Sequence, residues 1–324
     1  MWFRGESGSN LSSSPRRKPG PSVFPYGQSL LKDAGSRLSP GRQTFLTAIV
    51  KRVNIIIALF FGVFISCTQE PVEDTTPTSA ERPATPPQAQ VATESVDWES
   101  LDKEITDSHG MSFVLIPPGS FDMGSESGDE DETPVHTVRI TRPFYFGKYE
   151  VTQQQWKSIM GENPSTFQGD NLPVEMVSWN MVQTFLRRIN QFEGRLTYRL
   201  PSEAEWEHAA RAGAPADQAI SINAVAWHKG NAREKSHPVG RKKPNAWGLY
   251  DIYGNVWEWC RDRHGAYPAR TVTDPTGTSL GMNRIFRGGS WMVPPGRIRA
   301  TNRERRLEDY YAHNIGLRLV KIVR

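Results

Sequence analysis

Cysteine is scarce in this chain: 324 residues contain two, Cys67 and Cys260. Two thiols exclude a disulfide framework, and their positions matter more than their number. Long apolar runs are missing too. The longest, residues 53–65, has 13 members, against about 20 for a helix that crosses a bilayer. Histidine is dispersed: His109, His136, His208, His228, His237, His264 and His313 show no metal-ligand spacing. No H-E-x-x-H, glycine-rich phosphate loop or nucleophile elbow occurs, and no internal repeat is evident. What is present is 37% hydrophobic, 10% aromatic and 23% charged, which excludes a wholly disordered polymer, a multi-pass membrane protein and a coiled coil. Lys plus Arg is 39 and Asp plus Glu is 35, a formal +4. Taken alone, that mild basicity invites a nucleic acid or an anionic membrane as partner.

The position of Cys67 changes both figures. Lys51 and Arg52 precede the apolar run, and Phe64-Ile65-Ser66-Cys67 closes it. The run has the length of a signal-peptide core, and the whole resembles a bacterial lipoprotein signal in which Cys67 is acylated and becomes the mature N-terminus. Phe64 stands where Leu is usual. The alternative is a buried core helix. Against it stands the following tract, residues 68–93, with Pro71, Pro77, Pro83, Pro86 and Pro87 among Thr and Glu, a composition that does not pack. Residues 1–40 are rich in Ser, Pro, Gly and Arg without periodicity. Signal peptides start a few residues before their charges, so a true start near Val50 is expected. Residues 1–66 hold nine basic and two acidic side chains, leaving 30 basic and 33 acidic, a formal −3, for the rest. The expected organisation is an extension and n-region over 1–52, a signal core and lipobox over 53–67, a linker over 68–97 and one folded domain over 98–324. Lipidation leaves Cys260 as the one free thiol.

Short elements and many turns characterise that domain. Phe113, Leu115 and Ile116 start a strand ending at Pro117-Pro118-Gly119, and Val138, Ile140, Phe144 and Phe146 alternate around a break at Pro143. Thr152 caps a helix carrying Trp156 and Ile159. Ser178 or Asn180 caps another with Val182, Phe185, Leu186 and Ile189 on one face. Ser202 and Glu205 form an S-x-x-E capping box, with Gly213 as the stop. Residues 214–247 show almost no periodicity, residues 284–291 read as extended, and Ile315, Leu317 and Leu319 alternate. The mixture predicts an α+β fold.

Ordered motifs run through the same region: Met123-Gly124 before the acidic loop 126–132 and Pro134-Val135-His136, then Tyr149-Glu150-Val151-Thr152, Pro173-Val174 and Val177-Ser178-Trp179. Arg199-Leu200-Pro201-Ser202-Glu203-Ala204-Glu205-Trp206-Glu207 comes next. Asn245-Ala246-Trp247-Gly248-Leu249-Tyr250-Asp251, Gly254-Asn255-Val256-Trp257-Glu258-Trp259, Arg287-Gly288-Gly289-Ser290-Trp291 and Ile315-Gly316-Leu317-Arg318 complete the set. Together they resemble the formylglycine-generating enzyme (sulfatase-modifying factor) family over residues 111–320. The resemblance implies a modified C-type-lectin-like α+β domain poor in regular secondary structure.

It also implies sites. Asn255 and Glu258 are oxygen donors of the kind that suit a hard cation, and the family holds calcium here through positions matching the carbonyls of Tyr253, Gly254 and Val256 and the Glu258 carboxylate. The alternative is a structural turn with Trp257 and Trp259 in the core and Glu258 paired to an Arg. A second family calcium site starts at Asn231, but the acidic partner is missing from 231–239. The oxidase branch binds Cu(I) with two thiolates, the ligands that soft ion requires. The first of those positions is Val293 and the second falls within 295–298, none of which is Cys. No copper and no formylglycine oxidase activity are therefore expected, and no catalytic residue is assigned. Cys260 and the scattered His136 and His264 read as packing residues.

The stretch 297–306 (RIRATNRERR) is the most basic of the mature domain by this reading. One account pairs its arginines with the acidic loop 126–132 or Asp309. The other makes it a ligand surface, because related lectin-like lipoproteins display ligand-binding residues between the Gly-Gly-Ser-Trp turn and the Ile-Gly-x-Arg strand; Ser290, Trp291, Arg297, Arg299, Asn302 and Arg303 are the candidates. Arg suits carboxylate or sulfate by bidentate pairing, and Ala at 299 and 303 is then expected to remove ligand without unfolding. An exported protein without a base-stacking pattern does not suit nucleic acid. The expectation is a lipid-anchored envelope protein, periplasmic or at the cell surface, that binds a peptide, a glycan or an envelope protein. The alternative is a metal-dependent oxidoreductase or protein-modifying enzyme of the same family.

Overall fold

In the computed structural model, residues 97–195, 197–215 and 221–323 are described; the signal segment, Cys67 and nearly all of the linker expected from the sequence lie outside them. All described residues belong to the compact unit Gln88–Arg324. Its strands are short: β1 (Glu104–Thr106), β2 (Ser112–Ile116), β3 (Gly119–Met123), β4 (His136–Ile140), β5 (Phe144–Gly147), β6 (Tyr198–Arg199), β7 (Ala226–Trp227) and β8 (Tyr253–Gly254). They continue as β9 (Trp257–Arg263), β10 (Val272–Thr273), β11 (Asn283–Arg287), β12 (Arg303–Leu307), β13 (Ile315–Gly316) and β14 (Val320–Ile322). The helices are α1 (Gln153–Met160), α2 (Trp179–Phe192), α3 (Glu203–Arg211) and the single turn α4 (Ile222–Val225).

Local chemistry accounts for the helices. Thr152 accepts from the Gln155 N–H while the Gln155 side chain accepts from the Thr152 N–H, a reciprocal cap that starts α1, and left-handed Gly161 ends it. Ser178, not Asn180, caps α2. The apolar face of α2, Val182, Phe185, Leu186 and Ile189, is buried, with Phe185 stacked on Trp156 of α1 at 4.9 Å. The Ser202–Glu205 box starts α3. Its closing left-handed residue is Ala212 (φ 49°), whose N–H reaches the His208 carbonyl; the expected stop, Gly213, follows it.

The strands build four sheets. The largest runs β1-β2-β5-β14-β6 and is antiparallel throughout, so the last strand of the domain is inserted between elements from its first half. A second sheet runs β10-β4-β3, a third β12-β11-β9-β13, and β7 pairs with β8. Two apolar clusters fill the spaces between them: one gathers Trp156, Phe185, Tyr198, Trp259 and Leu317, the other Val138, Phe146, Trp206, Ile285 and Val320.

Two readings of extended chain are corrected. The segment 284–291 leaves strand geometry after Arg287, because Gly288 and Gly289 adopt φ of 101° and 81°. A Cβ at Gly288 would lie 3.1 Å from the Trp206 ring, so close packing as well as backbone freedom requires glycine there. The alternation at 315–319 is not one strand: β13 beside β9 ends at Gly316, residues 317–319 lie between strands, and β14 beside β5 starts at Val320, with every residue from 315 to 320 buried. β1 and β3 had no clear sequence signal.

Candidate functional site

The turn after β11 and the loop leading into β12 carry the candidates, and a buried arginine holds that loop in place. Arg287 is fully buried and pairs with Glu207 of α3; its Nη1 donates to the Thr301 carbonyl at 2.6 Å and its Nη2 to that of Ala300 at 2.9 Å. Glu207 also receives Arg211 at 2.5 Å and the Gly124 N–H at 3.0 Å. The spacing Glu203, Glu207, Arg211 places three charges on one face of α3, and that face is buried. Arg303 completes the lattice: Nε and Nη2 each donate to Glu203 at 2.8 Å, Nη1 donates to the Asp131 carbonyl at 2.7 Å, and the guanidinium lies 4.0 Å over the Tyr267 ring. Each buried charge meets an opposite one, the condition under which charge is tolerated inside a protein.

The six residues offered for ligand divide accordingly. Ser290, Trp291, Asn302 and Arg303 are buried. The Trp291 Nε1–H donates to the His313 carbonyl at 3.2 Å, Ser290 Oγ accepts from Asn314, and the Asn302 amide donates to the Arg297 carbonyl. Arg297 reaches the surface and pairs with Asp129 at 2.7 Å, while Arg299 pairs with Glu132. Arg305 meets Asp131 at 2.6 Å. Pairing with the acidic loop, one of the two accounts open from sequence, is thus the geometry of Arg297, Arg299 and Arg305, whereas Arg303 finds Glu203 instead. Arg303→Ala therefore leaves the buried Glu203 with only the longer Arg287 pair at 3.7 Å and is expected to cost about 3 kcal/mol, against less than about 0.5 kcal/mol for Arg297→Ala at an exposed pair. Urea midpoints of the two variants check this; the burial of Arg303 argues against changing position 303 without affecting the fold.

Behind this lattice lies a cavity of about 600 Å³ lined by His136, Glu203, Asp262, Tyr267 and Arg303. Asp262 is buried, accepts the Glu203 N–H at 3.0 Å and is pushed up to about 8, by burial first and then by the Glu203 charge. Cys260 is buried, and burial pushes its thiol well above the ordinary range, which leaves it unreactive.

In the segment 253–258 the Glu258 carboxylate is engaged by the protein. Both Glu258 oxygens are taken: Arg318 donates to Oε1 at 2.6 and 2.9 Å, and the Trp206 Nε1–H donates to Oε2 at 2.7 Å. Tyr253 and Gly254 form β8, and the Val256 N–H donates to Glu150 at 3.1 Å. Glu258 is thus paired to an arginine beside Trp257 and Trp259 of the core, the arrangement of the structural-turn alternative. Asn231 closes a turn: its Oδ1 accepts the His228 N–H at 2.8 Å and its amide donates to the Ala226 carbonyl. Sequence reasoning missed the carboxyls grouped around Arg318. Glu150 and Asp251 are both buried and both raised, by desolvation first, Asp251 to about 6.

The sulfatase-modifying factor enzyme 1-like domain matches residues 100–323 of the chain. The chain belongs to that family. Among relatives, the chaperone protein LppX of Paenibacillus barcinonensis is 31% identical over 233 residues, 55% of this chain and 78% of that protein. A formylglycine-generating enzyme of Streptomyces coelicolor is 29% identical over 288 residues, 63% of this chain and 87% of the enzyme. Among solved structures, Treponema denticola variable protein 1 superposes with a TM-score of 0.64 at 26% identity, over 68% of this chain and 99% of that one. The α+β fold implied by the motifs is therefore the fold of the family. Within this family frame, Val293, at the first position matched to a copper thiolate, packs against both apolar clusters, and of residues 295–298 only Ile298 is buried, in the second cluster.

Proposed function

We propose that the chain is a lipid-anchored envelope protein whose family domain binds a partner without oxidising it. The observation that carries this is the pair of copper positions: Val293 and residues 295–298 offer no thiol, and Cys260 is buried. Cu(I) needs two soft thiolates, and one sealed thiol in a different motif supplies neither. The relation to a chaperone protein favours a peptide or protein as the bound partner. Anchoring rests on Cys67, since lipoproteins carry more than one acyl chain and each buried CH₂ contributes about 0.8 kcal/mol. Incubation of the purified protein with copper, oxygen and a Cys-containing sulfatase peptide is expected to yield no aldehyde; aldehyde formation would overturn the reading. The relation to formylglycine-generating enzymes supports a second reading as a protein-modifying enzyme, for which stoichiometric copper or iron in the isolated protein is the signature.

A further inference from the structure

The arginines that looked available for a ligand are neutralised by the protein itself, and the cations left unpaired lie elsewhere. Residues 229–243 contain Lys229, Arg233, Lys235, Arg241, Lys242 and Lys243 against the single acid Glu234. Among the described residues none of the six forms an ion pair. Five are exposed, and Lys242 is half-buried. Six like charges in a segment of a domain that is otherwise net acidic repel one another, offset in part by Glu234 and by Asp251 acting on Lys242. The strain registers on a neighbour: His237 is held below the ordinary imidazole range by burial and by Lys235, Lys242 and Arg233.

The segment also borders a groove. Residues 166–172, with Asp170 their one acid, line it together with Trp227, Asn231, Arg233 and residues 235–238, around about 930 Å³ open to solvent. Two polar atoms of groove residues, Ser236 Oγ and Trp227 Nε1, find no partner in the protein. Of the six cations Arg233 and Lys235 line the groove and are exposed, which suits a ligand that brings negatively charged oxygen acceptors.

Shape decides between anionic partners. The exposed large apolar residues, Phe192, Leu280, Met282, Met292, Leu307, Tyr310 and Tyr311, all lie outside this segment, so nothing here inserts into a bilayer. Nucleic-acid bases need an open aromatic face. The groove's aromatics are engaged: His237 stacks on Trp227 at 3.7 Å, Lys242 Nζ sits 4.1 Å over the Trp227 ring, and Phe167 makes T-shaped contacts with Trp291 and His313. A linear acidic sugar chain needs neither feature; it needs spaced cations and hydrogen-bonding groups along a groove.

We propose that residues 229–243 and the groove beside them form a binding site for an acidic polysaccharide. This inference builds on the reading of the domain as a binding module. The two fail separately: an aldehyde product would remove that reading alone, whereas the assay below bears on the groove alone.

The test titrates the full chain with polygalacturonate, dextran sulfate, neutral dextran, phosphatidylglycerol vesicles and single-stranded DNA, each at low and high salt. Expected is salt-sensitive binding to one or both acidic polysaccharides and none to dextran. Arg233→Ala/Lys235→Ala, at two exposed positions, is expected to weaken it about tenfold. The control Arg305→Ala/Arg306→Ala, on β12, should change it less than about twofold. Absence of binding, equal loss in the control, or vesicle or DNA binding as tight as that of the acidic polysaccharides would overturn the assignment; thermal melts verify that both variants fold.

Discussion

Arg318→Ala is expected to lose about 3–5 kcal/mol of stability, because it removes one cation from among three buried carboxyl groups. Arg318 is fully buried, donates to both Glu258 oxygens, and donates to the carbonyls of Gly147 and Tyr250 at 2.9 Å each. Glu150 and Asp251 stand close enough to feel its charge. Glu150 is otherwise held by the Asn255 amide at 2.6 Å and the Val256 N–H, and Asp251 by the Gly240 N–H at 2.6 Å, with Asp251 Oδ1 left without a partner. Without the guanidinium these carboxyls can stay buried only by taking up protons, so the variant's deficit should widen as pH rises from 5 to 8. A loss of that size is a large part of the roughly 5–15 kcal/mol by which domains are stable. Arg318→Lys should recover only part of it, since one ammonium cannot span Glu258 and two carbonyls at once. Urea unfolding of the three proteins at pH 5 and pH 8 checks both statements; an Arg318→Ala protein as stable as the parent would show that the carboxyls are neutral without it.

This dependence on Arg318 also marks where sequence reading ends. Caps and helix faces were legible because their partners are three or four residues apart: Thr152 with Gln155, Ser202 with Glu205, and Val182 with Phe185 and Ile189. The family was legible for a related reason, since ordered short motifs survive as words. The partners of buried charges were not. Glu258 meets an arginine 60 positions later and Glu203 meets one 100 positions later, and nothing local distinguishes a carboxylate aimed at calcium from one aimed at a guanidinium. The resemblance supplied the cation, and the fold supplied Arg318. Arg303 shows the converse: its neighbours Arg297, Arg299 and Arg305 do meet the acidic loop, yet Arg303 sits on β12 facing α3 and joins Glu203 instead. One signal lay in plain view. Glu203, Glu207 and Arg211 recur every four residues, the spacing of a single helix face, and a charged face followed by the small stripe Ala204, Ala209, Ala210 foretells buried ion pairs. The unpaired cations of 229–243 were equally visible, but only the structure shows that the competing arginines are spent.

A second large effect is expected from pH itself, and its sign follows from burial. Four carboxyls are raised, in each case mainly by desolvation: Asp251 to about 6, Glu175 to about 7, Asp262 to about 8, and Glu150 well above its ordinary value. A carboxyl whose folded value exceeds its unfolded value binds its proton more tightly in the native state, so the stability it contributes is present below the unfolded value, near 4, and is lost as pH rises through the folded one. Each such group gives a slope of about 1.4 kcal/mol per pH unit within its window. The unfolding free energy should therefore fall between pH 5 and pH 8, opposite to the behaviour of proteins dominated by ion-paired surface carboxylates. Asp262 isolates the effect. Its one hydrogen bond is acceptance from the Glu203 N–H, which an asparagine carbonyl oxygen accepts equally well, and asparagine never ionises. Glu203 and Glu205 push its proton affinity up and Arg261 pulls it down, so its charge is set by the start of α3 and by β9 together. Asp262→Asn is thus expected to match the parent near pH 4, to exceed it by several kcal/mol at pH 9, and to flatten the profile between them. Parallel profiles for parent and variant would show that Asp262 is ionised throughout, and that the buried lattice around Arg287 and Arg303 neutralises it more fully than its burial opposes.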